Sequence, residues 1–118
     1  MRVFKGISIP VMIIIAVNAL ASAQQEIAHL LDFVAATPCK YVRNGSVHDG
    51  AEARNHINEK YMRFKRKITT AEDFVEFSAT RSKLSGRKYI VRCPGSTDEY
   101  VSDWLLNELK AFREMHRQ

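Results

Sequence analysis

Cysteine occurs only twice in the 118 residues, as Cys39 and Cys93, and tryptophan once. Two cysteines allow one covalent brace and no more. Long apolar runs are equally scarce. The single one, Ile7 to Ala23, is seventeen residues long and is interrupted by Pro10 and Asn18. A membrane-spanning helix wants about 20 apolar residues. No cysteine follows the small residues that end this run, which argues against a lipid anchor there. There is no internal repeat and no long linker, so the chain is not read as an array or as several domains. Ser85-Gly86 lacks the GxSxG context of a nucleophile elbow, and no oxyanion donor set stands out.

What the N-terminus does contain is an export pattern. Arg2 and Lys5 precede the apolar run, and Ala21-Ser22-Ala23 supplies the small-x-small pattern that signal peptidase accepts. Cleavage is expected after Ala23, which makes residues 1–23 a signal peptide and residues 24–118 one small domain beginning at Gln24. The competing reading is an uncleaved anchor. The full chain carries 18 basic and 13 acidic residues, and losing Arg2 and Lys5 leaves 16 against 13, a net +3. So mild a charge biases encounters without naming a partner. Export implies a periplasmic address in which thiols oxidise, and a Cys39–Cys93 disulfide is expected. Closing that loop removes about 4 kcal/mol of unfolded-state entropy on the chain-entropy model. A cysteine nucleophile at Cys39, with His48 or His56 as base, would need the thiolate this bond removes.

Periodicity in the remaining chain predicts an α+β fold, about four helices on a small antiparallel sheet of about three strands. Ile27, Leu30, Leu31 and Val34 mark a helix over residues 25–36, ended by Thr37-Pro38. Residues 39–43 alternate, and Asn44-Gly45 signals a hairpin returning through Ser46-Val47-His48. Asp49 caps the next helix, with Glu52 expected to reach back, and Ala53, Ile57, Tyr61, Phe64 and Ile68 form its buried stripe. Thr69-Thr70-Ala71-Glu72-Asp73 opens a third helix in the same way. The hydroxyl-rich stretch 78–86 loses periodicity and reads as a loop, either a mobile connector or an anion cradle with Arg81. Residues 88–93 form a third strand. Ser96-Thr97-Asp98-Glu99 is expected to cap a last helix whose apolar face holds Val101, Trp104, Leu105, Leu109 and Phe112. Its final turns carry Lys110, Arg113, His116 and Arg117, where cations suit the dipole.

The segments EIAHLLDFV, CKYVRNGSVHDGAEARNHINEKY, ITTAEDFVEF, SGRKYIVRC and WLLNELKAFR resemble the exported bacterial proteins of domain of unknown function 5329. The likeness runs from about Glu26 to Arg113. Its most specific part is the order of Cys39, Arg43-Asn44-Gly45, Glu52-Ala53, His56, Lys60, Thr70 to Phe74, Ser85-Gly86 and Cys93. Members often place a proline before the tyrosine of the SGxxY stretch, where this chain has Lys88. The resemblance implies an exported, disulfide-linked domain and implies no activity.

Glu52, His56 and Lys60 are spaced i, i+4, i+8 along one side of a helix. In one reading they form a ladder in which Glu52 pairs with His56. In the other, Arg43 and Asn44 of the hairpin join His56 and Lys60 in a polar pocket, and Arg43 grips a carboxylate or phosphate at two points. The partner would be an envelope component or another exported protein. Neither a cofactor nor nucleic acid is expected, although MRFKRK (residues 62–67) is basic enough to serve an anionic surface. A metal site of His48, Glu52 and His56, serving a metal-assisted or acid–base hydrolase, is the alternative from another class.

Overall fold

In a computed structural model, which describes residues 6, 8–12 and 20–117, the chain forms four α-helices and a four-stranded antiparallel sheet. Most of the apolar core of the expected signal lies outside the described residues. Among those described, no helix is long and apolar enough to cross a membrane.

Helix α1 (Ala23–Ala36) starts at Ser22, whose hydroxyl accepts from the Gln25 backbone while the Gln25 side chain accepts from Ser22, a reciprocal cap. Its Ile27, Leu30, Leu31 and Val34 are buried, as their spacing requires. Strand β1 (Lys40–Arg43) then turns at Asn44 and Gly45, with φ of 50° and 79°, into β2 (Ser46–His48). Two consecutive left-handed residues are what an Asn-Gly hairpin turn needs.

Helix α2 (Gly50–Phe64) is capped by Asp49, which accepts from the Glu52 backbone. The expected return bond from Glu52 is replaced: its carboxylate takes His48 Nδ1 at 2.9 Å. Gly50 sits against the end of α1, where an added Cβ would lie 2.7 Å from the Val34 carbonyl oxygen and 2.9 Å from that of Ala35. This close approach brings α2 onto α1.

A 3-10 turn, Lys65–Lys67, leads to α3 (Ala71–Ser78), whose Thr70–Asp73 cap is reciprocal as read from the sequence. Strand β3 (Ile90–Arg92) pairs with β1, and their register places Lys40 opposite Arg92 and Tyr41 opposite Val91. One step further, Cys39 meets Cys93, and the two are joined in a disulfide. The sheet order is β2-β1-β3-β4, one strand more than the three expected. The added strand, β4 (Glu99–Tyr100), occupies the place assigned to a helix cap; Asp98 is held by Arg92 instead, and α4 (Val101–Met115) begins at Tyr100 without a side-chain cap. A two-residue strand is too short to show a period of two.

The core gathers α1, α3 and α4 around Phe74, Leu30 and Leu105, with Tyr41 and Val91 from the sheet. Arg113 near the end of α4 fastens three helices. Its guanidinium donates at 2.7 Å both to Glu26 of α1 and to Glu72 of α3.

Candidate functional site: a cationic pocket around Tyr89

Arg43 ends β1, His56 and Lys60 lie on the inner stripe of α2, and Tyr89 stands just before β3. Main-chain bonds fix Tyr89 on both sides: its amide donates to the Thr80 carbonyl, and its own carbonyl accepts from Val101 at the head of α4. The phenol is thereby held under α2. Lys60 Nζ donates to the Tyr89 oxygen at 3.1 Å and to the Arg81 carbonyl at 2.8 Å. His56 Nε2 stands 3.2 Å from the same phenol oxygen. Lys60 is only 4% exposed and Tyr89 5%, so these groups meet out of water.

Lys60 has only donors, so the Tyr89 oxygen accepts from it and the phenol proton is free to go to a neutral His56. The electrostatics agree. Burial, then the charges of Arg43 and Lys60, pushes the His56 pKa down to about 4. Burial, then Arg43, Lys83 and Arg63, pushes Lys60 down to about 8. Burial raises the Tyr89 phenol, and the neighbouring Arg43 guanidinium opposes that rise. The Arg43 Nε is buried and has no hydrogen-bond partner. Among the described residues no carboxylate forms an ion pair with Arg43 or Lys60.

Beside it opens a cavity of about 40 Å³, lined by Arg43, His48, Glu52, His56 and Tyr89 together with Tyr41, Val42, Ala53, Ile57 and Val101. Of the four residues expected to bind a ligand, Arg43 and His56 line this cavity, and Lys60 reaches it only through its bond to Tyr89. Asn44 is not among the lining residues. Its side-chain amide donates to Ser82 Oγ at 3.0 Å and its carbonyl oxygen accepts from the Ser85 hydroxyl, which pins the hairpin to the 79–86 loop. The hydroxyls of Thr80, Ser82 and Ser85 are therefore engaged within the fold, Thr80 with the Val75 carbonyl, while the Ser78 hydroxyl is buried without a partner. The Glu52–His56 ladder is not formed either, because His48 takes Glu52. Among the described residues no three histidine, cysteine or acidic side chains gather as metal ligands, so the His48, Glu52, His56 arrangement is not assembled.

Sequence reading missed Tyr89, the centre of the cluster, and treated it only as a strand residue. The usable signal was a tyrosine bordering a strand: a buried phenol needs a hydrogen-bond partner, and a helix presenting His56 and Lys60 one turn apart offers two.

Comparison with known proteins gives a family without an assigned activity. Residues 21–113 match the family of unknown function (DUF5329). The uncharacterized protein YfeK of Salmonella typhimurium is 38% identical over 49 residues, covering 42% of this chain and 41% of that relative's length. No solved structure matches. With the family match running over most of its length, the chain belongs to the family of unknown function (DUF5329).

Proposed function

We propose that the chain is an exported periplasmic binding module, without catalysis of its own, that captures an anionic group of an envelope component or of another exported protein. The observation that carries this reading is the cation cluster: among the described residues Arg43 and Lys60 beside Tyr89 form no ion pair with a carboxylate, and the Arg43 Nε is buried and unpaired. An unsatisfied buried donor costs about 1–3 kcal/mol, more when charged. An anion supplied from outside recovers that cost, and a folded chain that tolerates it is set up for a ligand. Export rests on the N-terminal pattern of basic residues, apolar run and Ala21-Ser22-Ala23, and the Cys39–Cys93 bond suits an oxidising compartment.

The test is capture of a partner from periplasmic extract by the wild-type chain and by Arg43→Ala. Capture is expected to disappear while the melting temperature holds or rises slightly, since the variant removes a repulsive, unpaired cation. Capture that persists in Arg43→Ala would show that this cluster is structural. Intact mass of the exported protein should begin at Gln24.

A further inference from the structure

We propose that a second surface, separate from the Arg43 pocket, docks reversibly on an anionic phospholipid bilayer, with Leu84 entering the lipid and the cations around it meeting the headgroups. Its centre is the loop between α3 and β3. Leu84 is 91% exposed, more than any other large apolar side chain among the described residues. A single exposed leucine is ordinary on a protein surface, but this one is held in place. The Ser82 amide donates to the Arg87 carbonyl at 2.9 Å, and the Gly86 amide to the Ser82 carbonyl at 2.8 Å. The Ser82 hydroxyl accepts from the Leu84 amide at 3.3 Å and from the Asn44 side chain at 3.0 Å. The loop is thus a closed turn fastened to the hairpin, and Leu84 stands out at its tip.

Cations surround that tip. Lys83 lays its ammonium 4.0 Å from the centre of the Phe64 ring, which joins the loop to the end of α2. Arg63, Lys65, Arg66 and Lys67 are exposed there. After burial and Arg43, it is Lys83 and Arg63 that lower the Lys60 pKa, so both stand near the same ammonium. On the hairpin side, the Arg87 guanidinium lies 4.0 Å from where a Cβ on Gly45 would stand. Among the described residues none of these cations forms an ion pair. Glu72 and Asp73 are taken by Arg113 and by the α3 cap. Glu76 lines a groove with Arg81 and Lys88, which are left out of the patch for that reason.

Unpaired cations around a protruding aliphatic side chain match a lipid interface, where phosphates lie next to hydrocarbon. Nucleic acid would use the cations but offers nothing to Leu84. Its bases also want a stacking ring, and Phe64 is already covered by Lys83. A protein partner wants a wider apolar centre than one leucine provides.

The test is co-sedimentation of the exported protein, its disulfide intact, with vesicles of phosphatidylcholine alone and of phosphatidylcholine mixed with phosphatidylglycerol. Binding is expected only to the anionic vesicles and should weaken as salt is raised. Lys65→Gln, Arg66→Gln and Lys67→Gln combined should lower the affinity about a hundredfold, at about fivefold per cation. Leu84→Ser should lower it about tenfold. These positions are exposed, so both variants should melt with the wild type. Equal binding to neutral vesicles would trace the attraction to an apolar segment and overturn the proposal. Salt-sensitive binding that Leu84→Ser leaves unchanged would overturn it as well, because a patch that holds any polyanion, nucleic acid or acidic protein included, behaves in that way. Absence of vesicle binding overturns it and leaves the pocket reading untouched. Loss of Arg43-dependent capture, with vesicle binding intact, does the reverse.

Discussion

Tyr89, His56 and Lys60 make a buried network in which each group constrains the protonation of the next. His56 is held neutral because burial and then the Arg43 and Lys60 charges oppose its proton. Its pKa falls from 6.5 to about 4 on folding, so the unfolded chain takes up that proton first as the pH drops. The associated stability is fully present above pH 6.5 and is lost as the pH falls towards 4. Urea unfolding at several pH values between 7 and 4 should show this decline, and His56→Gln should flatten part of it. Equal slopes in the two proteins would mean that His56 titrates normally. At this scale the sequence was informative about which side chains matter and poor about whom they meet. Helical spacing put His56 and Lys60 on one stripe, and hairpin chemistry put Arg43 nearby. Spacing alone offered Glu52 to His56, but His48, returning on β2, reaches Glu52 first. Tyr89 lies 33 residues from His56, and no local pattern joins positions so far apart.

Among the elements, the contact between the end of α1 and the start of α2 has the least slack. Alanine in place of glycine inside a helix ordinarily gains about 0.5–1 kcal/mol. At Gly50 the new methyl would meet backbone oxygens of Val34 and Ala35 at 2.7 and 2.9 Å. Backbone cannot swing aside as a side chain can, and overpacking of this kind costs about 1–3 kcal/mol. Gly50→Ala is therefore expected to destabilise, by about 1–2 kcal/mol net, measured by urea denaturation. A neutral or stabilising result would mean that the two helices separate at little cost. The helices and the hairpin were readable because each carries its own signal: a buried stripe, a cap or an Asn-Gly turn. What the sequence could not show is that Asp98 binds Arg92 rather than capping α4, because a capping side chain and a surface ion pair draw on the same residue type. The same limit hid Arg113, read as a cation suited to a helix end, which in fact ties α4 to Glu26 and Glu72.

At the scale of the whole molecule, a domain the size of the matched segment, residues 21–113, buries a modest core and gains from a covalent brace. Replacing both Cys39 and Cys93 with serine should cost about 2–4 kcal/mol, read as a lower urea midpoint. A small change would mean that the paired strands and the Arg113 bridges already restrict the chain as far as the bond does. The disulfide was legible from cysteine number and the N-terminal export pattern, since two thiols that oxidise have only each other as partner. Its position was not, because that depends on the β1–β3 register.

That register has a further consequence. Strand β1 ends in Arg43, and β3 is entered through Tyr89, so the covalent bond joins the two neighbouring strands that carry these pocket residues. Were the proposed ligand to bind there, its occupancy and the thiol redox state would be linked functions. Whatever factor reduction removes from ligand affinity, a bound ligand must return as resistance of the bond to reduction. The redox potential of this cystine would then gauge whether the pocket is filled.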